Sequence, residues 1–315
     1  QVWKMVEQQS DEPTFLNWIE DQIPKLNIEP GSKKHYHTLL TRLKEYNQLK
    51  RWQDVTIEGI VNFDAWLHTL TNEENDMGAR ALGRLGKGLS DQTIYNYHKG
   101  MKVMLRRAHL FGKIESNPYE KLKGHFKRGD KENVEYLTEN EMKAIMNLEL
   151  TDDSMLSKSR DLFVFQMWTG LAYSDAQAFD MKQYKNVNGK WINIGERIKT
   201  GAPYVSVLLP PVVKVLEKYG WKTPHIENHV YNRMLKAIGE MAGIGTRLHS
   251  HLARHSFATY MLSNGTRIEH VSKMLGHTTI KHTQRYAKVL AQDVRDGFDN
   301  IAAQMTMPKN KRKKK

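Results

Sequence analysis

Apolar residues recur at spacings of three and four through most of this chain, and at a spacing of two in one short region only. Tyr36, Leu39, Leu40, Leu43 and Tyr46 mark an amphipathic helix with Ser32 as its cap. A second helix is expected from about Thr56, offering Ile57, Ile60, Val61 and Trp66 to a core. Met77 to Gly88 carries four Gly among basic residues and reads as a loop. Ser90 precedes a third helix whose inward positions are Ile94, Tyr97, Met101, Met104, Leu105 and Ala108. Gly112 stands where a C-terminal cap belongs.

The pattern lapses over KLKGHFKRGDKEN, residues 121–133, where only Leu122 and Phe126 are apolar. This reads as a linker between domains. Thr138 and Glu141 then show capping-box spacing ahead of Met142, Ile145, Met146 and Leu148. A helix from Arg160 should end near Gly170. Asn188-Gly189 signals a hairpin beside Trp191, Ile192 and Ile194, and Thr200-Gly201 a second turn before Val205, Val207 and Leu209. After Pro210 the spacing is helical to the end, and no internal repeat is visible. The expected fold is therefore mainly α with a small antiparallel sheet. It divides into a helical domain 1–122, a linker 123–134, a second domain 135–305 and a basic tail 306–315. The chain opens on Gln1 and not Met, which reads as a fragment of a longer protein.

Composition narrows the class. The 315 residues are 39% hydrophobic with seven Trp, which argues against disorder, and nothing resembles a membrane span or a signal peptide. With no Cys, a disulfide framework or thiolate zinc site is impossible. The net charge of +13 points to a polyanionic partner, nucleic acid ahead of an anionic membrane surface. Six of those charges (Lys309, Lys311, Arg312, Lys313, Lys314, Lys315) lie in the tail; removing them still leaves +7. The third helix concentrates Lys99, Lys102, Arg106 and Arg107, with no acidic residue between Gln92 and Gly112, as a phosphate-facing surface would. Trp52, Trp66 and Tyr95 read as core residues and not as base readers. The expected setting is cytoplasmic.

Two motifs fail. Gly83, Gly86 and Lys87 suggest a phosphate loop, but Ala81 and Gly88 occupy positions where it needs Gly and Ser or Thr. His249, His251 and His255 invite a metal, yet no carboxylate lies between Thr246 and Asn264 and Arg254 would repel a cation, so no metal is assigned. What remains is His251-Leu-Ala-Arg254-His255, then Leu275-Gly276-His277, then Tyr286 nine residues on. An Arg fork matches two phosphate oxygens. Imidazoles donate to the same oxygens or move protons near neutral pH. A Tyr hydroxyl can attack phosphorus and conserve the bond energy in a covalent intermediate.

HLARHSFAT and LGHTTIKHTQRYAKV resemble the His-x-x-Arg-His motif and the Leu-Gly-His…Tyr motif of the tyrosine recombinases. DLFVFQMWTGLAYSD resembles the helix and turn carrying that family's first catalytic Arg, and NIGERIKTG its Lys hairpin. The resemblance covers about residues 135–305, and the first half is similar to the family's core-binding domain. It implies Tyr286 as nucleophile forming a 3′-phosphotyrosyl bond, and Arg254 on the non-bridging oxygens. His251 and His277 would complete the cradle, and Lys199 would protonate the departing 5′ oxygen. Asp175 and His255 would be structural supports. It further implies strand exchange through a Holliday junction on double-stranded DNA sites, with neither ATP nor a metal or other cofactor. A homo-tetramer, accessory DNA-bending or directionality factors, and integration or excision of a mobile element are implied too. The stripe Leu290, Val294, Phe298, Ile301 and Met305 would dock on a neighbouring protomer.

One position departs from the pattern. The family's turn reads Thr-Gly-Leu-Arg, whereas here it is Thr169-Gly170-Leu171-Ala172. Another Arg could take over, the Ala could be engineered to trap a DNA complex, or the chain could be an impaired DNA-binding protein of the same fold. The first is expected, because the sequence resembles integrases of conjugative transposons and related elements, some of which lack this Arg. Arg197, two residues before Lys199 and on the same face of an extended strand, is the expected substitute. A relaxing type IB topoisomerase shares the chemistry but fits the motif spacing less well.

Overall fold

The computed structural model describes residues 13–71, 86–129 and 134–286. The chain forms two compact units, 1–131 and 132–315. Four helices build the described part of the first: α1 (Phe15–Gln22), α2 (Pro30–Tyr46), α3 (Ile57–Thr69) and α4 (Asp91–Leu110). Thr14, Thr56 and Ser90 cap α1, α3 and α4 by accepting a backbone N–H, each such cap contributing about 1 kcal/mol. α2 starts earlier than the spacing predicts. Pro30 occupies its first turn, so Ser32 lies inside the helix and is not its cap. The buried stripe of α3 is Ile60, Phe63 and Leu67, with Ile57 left exposed.

The proposed linker begins later than composition suggests. Leu122 is buried in the first core and Phe126 packs on it. The Phe126 ring lies flat on His98, 3.7 Å between centroids and 9° between planes. His98 is itself buried, bonded at Nδ1 to the Tyr119 hydroxyl (2.7 Å) and at Nε2 to Asp64 (2.9 Å), which ties α3, α4 and the 117–126 segment together. Most of the loop from Met77 to Gly88, residues 130–133 of the linker, the stripe from Leu290 to Met305 and the tail lie outside the described residues.

The second unit is wrapped around one helix. α5 (Glu139–Met146) opens on the Thr138–Glu141 capping box. α6 (Met155–Thr169) is buried on nearly every side, and from Leu162 to Trp168 only Gln166 interrupts an apolar run. It starts at its Ser154 cap, well before Arg160. Two of its buried polar side chains are paired, Asp161 accepting from Lys218 and Tyr219 and Gln166 from the Tyr231 hydroxyl, whereas the buried Ser159 hydroxyl has no partner among the described residues. α7 (Tyr173–Gln177) follows a tight turn. β1 (Lys185–Val187), β2 (Lys190–Glu196) and β3 (Pro203–Val207) form an antiparallel sheet in that order, Ile192 opposite both Lys185 and Val207. The Asn188-Gly189 hairpin lies between β1 and β2 as predicted. α8 (Pro210–Lys218), α9 (Asn228–Met241), α10 (Ser250–Ser263) and α11 (Ile268–Leu275) complete the described unit. No described helix is long and apolar enough to cross a membrane.

Candidate active site

The site is assembled from four chain segments that meet at two backbone carbonyls. α6 ends at Gly170 in the left-handed region (φ +69°), where a Cβ would lie 2.5 Å from Phe257. The turn is pinned by Gln166, whose Nε2 donates to the Leu171 carbonyl at 3.0 Å. This leaves the Gly170 carbonyl free to accept from Arg254 Nη1 at 2.8 Å. The other terminal nitrogen of Arg254 donates to the Leu275 carbonyl, at the end of α11. Arg254 is thus 5% exposed and fixed at both ends of its fork.

Arg197 reaches the same place from the hairpin. Its Nη1 donates to the Leu275 carbonyl at 2.7 Å, so two guanidinium groups share one oxygen. Its Nε lies 2.5 Å from the Asp175 Oδ2, an ion pair whose N–H is not aligned as a hydrogen bond. The other Asp175 oxygen accepts the Ile198 backbone N–H at 2.9 Å. Asp175 sits in the first turn of α7, whose N-cap is Ala172. The Arg197 side chain crosses Gly276, where a Cβ would meet its Cγ at 2.7 Å in a left-handed backbone (φ +59°). The same-face argument for Arg197 and Lys199 does not hold. β2 stops at Glu196, and the Arg197 carbonyl closes a tight turn by accepting from Thr200 and Gly201. Lys199 stands exposed on that turn, and its charge reaches His251.

Tyr286 is 3% exposed, and its hydroxyl lies 2.8 Å from His255 Nδ1. The His277 ring is parallel to the Tyr286 ring at 6.5 Å, with Nδ1 2.7 Å from the Thr283 hydroxyl. The His251 ring lies over that of His255 at 6.1 Å, one helical turn away on α10. Burial, with Arg254, His282, Arg197 and His255 as further causes, lowers His277 to about 3. Burial, then His251, Arg285, His249 and Arg254, lowers His255 equally. His251 shifts down for the same reasons, desolvation first and then Arg254. Burial and the neighbouring Arg197 depress Arg254 to about 9, which leaves it charged at neutral pH. Burial raises the Tyr286 phenol against the pull of Arg254 and Arg285. Desolvation leads each of these shifts; the cationic neighbours add to it at His251, His255, His277 and Arg254, and an anion would offset that added part.

The sequence motifs did not disclose three participants. The carbonyls of Gly170 and Leu275 carry no side-chain signal. Thr283 is buried beneath His277, three residues before Tyr286, with no marker of its own. Among the predicted duplex contacts, Lys99 and Arg106 are exposed and Lys102 half-buried on α4. Arg107 is half-buried there, its Nε donating to Gln22 at 2.8 Å and its guanidinium lying over Phe111. Trp52 packs edge-on against Phe15 and Trp18, whereas Trp66 is stacked on Phe63 and tilted against Tyr46.

Residues 135–293 match the phage integrase family, and residues 14–127 match the phage integrase SAM-like domain. The chain therefore belongs to the phage integrase family of tyrosine recombinases, enzymes of site-specific DNA recombination. It is 25% identical to the tyrosine recombinase XerC of Oceanobacillus iheyensis over 308 residues, 90% of this chain and 93% of the relative. A tyrosine recombinase of Thermosipho africanus is 24% identical over 230 residues, 69% of this chain and 78% of that one. The fold matches XerH bound to a palindromic difH substrate in a post-cleavage complex, with a TM-score of 0.67 and 16% identity over 90% of this chain and 83% of that one. It also matches the Tn1549 transposon integrase bound to a circular intermediate DNA, with a TM-score of 0.63 and 17% identity over 90% and 99%.

Proposed function

We propose that this protein is a mobile-element integrase that cuts and rejoins duplex DNA through a 3′-phosphotyrosyl bond at Tyr286, with Arg197 replacing the Arg absent at Ala172. The supporting observation is the pairing of Arg197 and Arg254 on the Leu275 carbonyl. A guanidinium has five N–H donors. Two of those on Arg254 serve carbonyls, and Arg197 spends one on Leu275 while Asp175 holds its Nε, so each keeps donors for phosphate oxygens. The non-bridging oxygens of a scissile phosphate would sit against this pair with His251 and His277, and Lys199 would deliver a proton to the 5′ oxygen as it leaves. Strand exchange would proceed in a homo-tetramer on synapsed sites, through a Holliday junction, and likeness to the Tn1549 transposon integrase supports the mobile-element role.

Incubation with a nicked suicide site tests the reading. Wild type should yield an SDS-resistant protein–DNA adduct, and Tyr286→Phe none. Arg197→Ala should bind the half-site normally but cleave about 10²–10³ slower, the usual loss for one transition-state contact. Normal cleavage by Arg197→Ala would remove it from the reaction. No adduct with wild type would favour the DNA-binding reading that Ala172 prompts.

A further inference from the structure

The nucleophile's hydroxyl has one described hydrogen-bond partner, and it is none of the groups assigned to the phosphate. Tyr286 Oη lies 2.8 Å from His255 Nδ1. His255 follows Arg254 on α10, so the helix that fixes the phosphate-binding Arg also sets this imidazole. The phenol packs in a small apolar cluster with Val134, Phe257, Ala258, Val271 and Leu275, which leaves the ring little freedom to turn elsewhere. The His251 ring lies nearly parallel to that of His255, 6.1 Å between centroids.

We propose that His255 is a catalytic residue: its Nδ1 takes the proton from Tyr286 Oη as that oxygen attacks phosphorus. The inference rests on Tyr286 being the nucleophile. In the forward step the phenol O–H breaks and the proton passes to His255 Nδ1, while the Oη–P bond forms. The bond from phosphorus to the 5′ oxygen breaks with its electron pair on that oxygen, which takes a proton from Lys199. On rejoining, the 5′ hydroxyl gives its proton back, and imidazolium His255 returns one to Oη. Neutrality suits the resting ring, because an imidazolium could not accept. Burial and the surrounding His251, Arg285, His249 and Arg254 keep His255 neutral. The phosphate offsets that cationic surround and makes His255 more basic once DNA is in place.

The test is single-turnover cleavage of a suicide DNA site by full-length protein. His255→Ala should retain half-site affinity and cleave about 10²–10⁴ slower, the range for losing a general base. His255→Asn, which keeps an acceptor oxygen near the Nδ1 position but takes up no proton, should be equally slow. With 3,5-difluorotyrosine at 286, a phenol that ionises more readily, the deficit of His255→Ala should shrink markedly. A substrate with bridging sulfur at the 5′ position, whose thiolate leaves without a proton, should rescue Lys199→Ala but not His255→Ala. Wild-type rates in His255→Asn would reduce the contact to positioning, and faster cleavage in His255→Ala would make it a latch; either overturns the proposal. No adduct from wild type, or an adduct that persists in Tyr286→Phe, would instead overturn the nucleophile assignment.

Discussion

At the scale of single residues, the site depends on backbone as much as on side chains. Gly276 is the clearest case. An L-residue there would enter the left-handed region, at about 1–2 kcal/mol, and its Cβ would press on Arg197 at 2.7 Å. Gly276→Ala should therefore lower stability slightly and push Arg197 off the Leu275 carbonyl. Cleavage would then fall toward that of Arg197→Ala while half-site affinity holds. Measured single-turnover rates that stay at wild type, with only stability reduced, would exclude Arg197 from the phosphate. Arg254, His251, His277 and Tyr286 stand out as candidates in the sequence because their chemistry is written in side-chain type and spacing, and Asp175 only through the family resemblance. Arg197 was legible as a candidate, but for a mistaken geometric reason. A hydrogen bond across 78 residues and an ion pair to Asp175 place it, and a strand period does not. His255 was legible as a member of the motif, but its contact with Tyr286 was not.

Among elements, helices with a clear stripe and cap were readable in advance, notably α3 from Thr56, α4 from Ser90 and α5 from its capping box. α6 begins earlier than the sequence predicts, because a helix buried on nearly every side has no stripe to mark its start. Phe126 falls inside the linker that composition predicts, because Leu122 and Phe126, two apolar residues in a basic run, give no period. What holds them is a tertiary contact on His98. That contact predicts acid sensitivity. Burial outweighs the Asp64 partner and lowers His98 from 6.5 to about 4. A depressed His is neutral in the folded state while the unfolded chain takes up a proton, so its contribution is present above pH 6.5 and is lost as pH falls toward 4. His98 alone can remove up to about 3 kcal/mol by that point. His255 and His277, lowered to about 3, act in the same direction in the second unit. Urea unfolding should show the midpoint dropping between about pH 7 and pH 5; a flat midpoint would mean that His98 finds a charged partner on protonation.

Across the whole molecule, the +13 net charge separates into groups that physics treats differently. Lys99 and Arg106 are exposed on α4 and Lys102 half-exposed, so salt screens them. Arg197 and Arg254 are enclosed and anchored to carbonyls and Asp175, so salt reaches them poorly. Binding and cutting should therefore respond to different variables. Replacing Lys99, Lys102 and Arg106 together by Ala should weaken DNA binding across all sequences and flatten the log-affinity against log-salt slope by about 0.9 per lost phosphate contact. At saturating protein, the same variant should cleave at the wild-type rate. Arg107→Ala should lower the stability of the first unit, since its Nε donates to Gln22 and its guanidinium lies over Phe111. Arg197→Ala should do the reverse of the triple variant, with an unaltered slope and slow cleavage. Raising salt at saturating protein provides the strictest comparison, because it changes every screened charge at once. A cleavage rate that stays constant while affinity falls fits the division. If the rate constant instead declines in parallel with affinity, exposed charges are also holding the scissile phosphate, and the boundary between the two groups lies further out than the buried Arg pair.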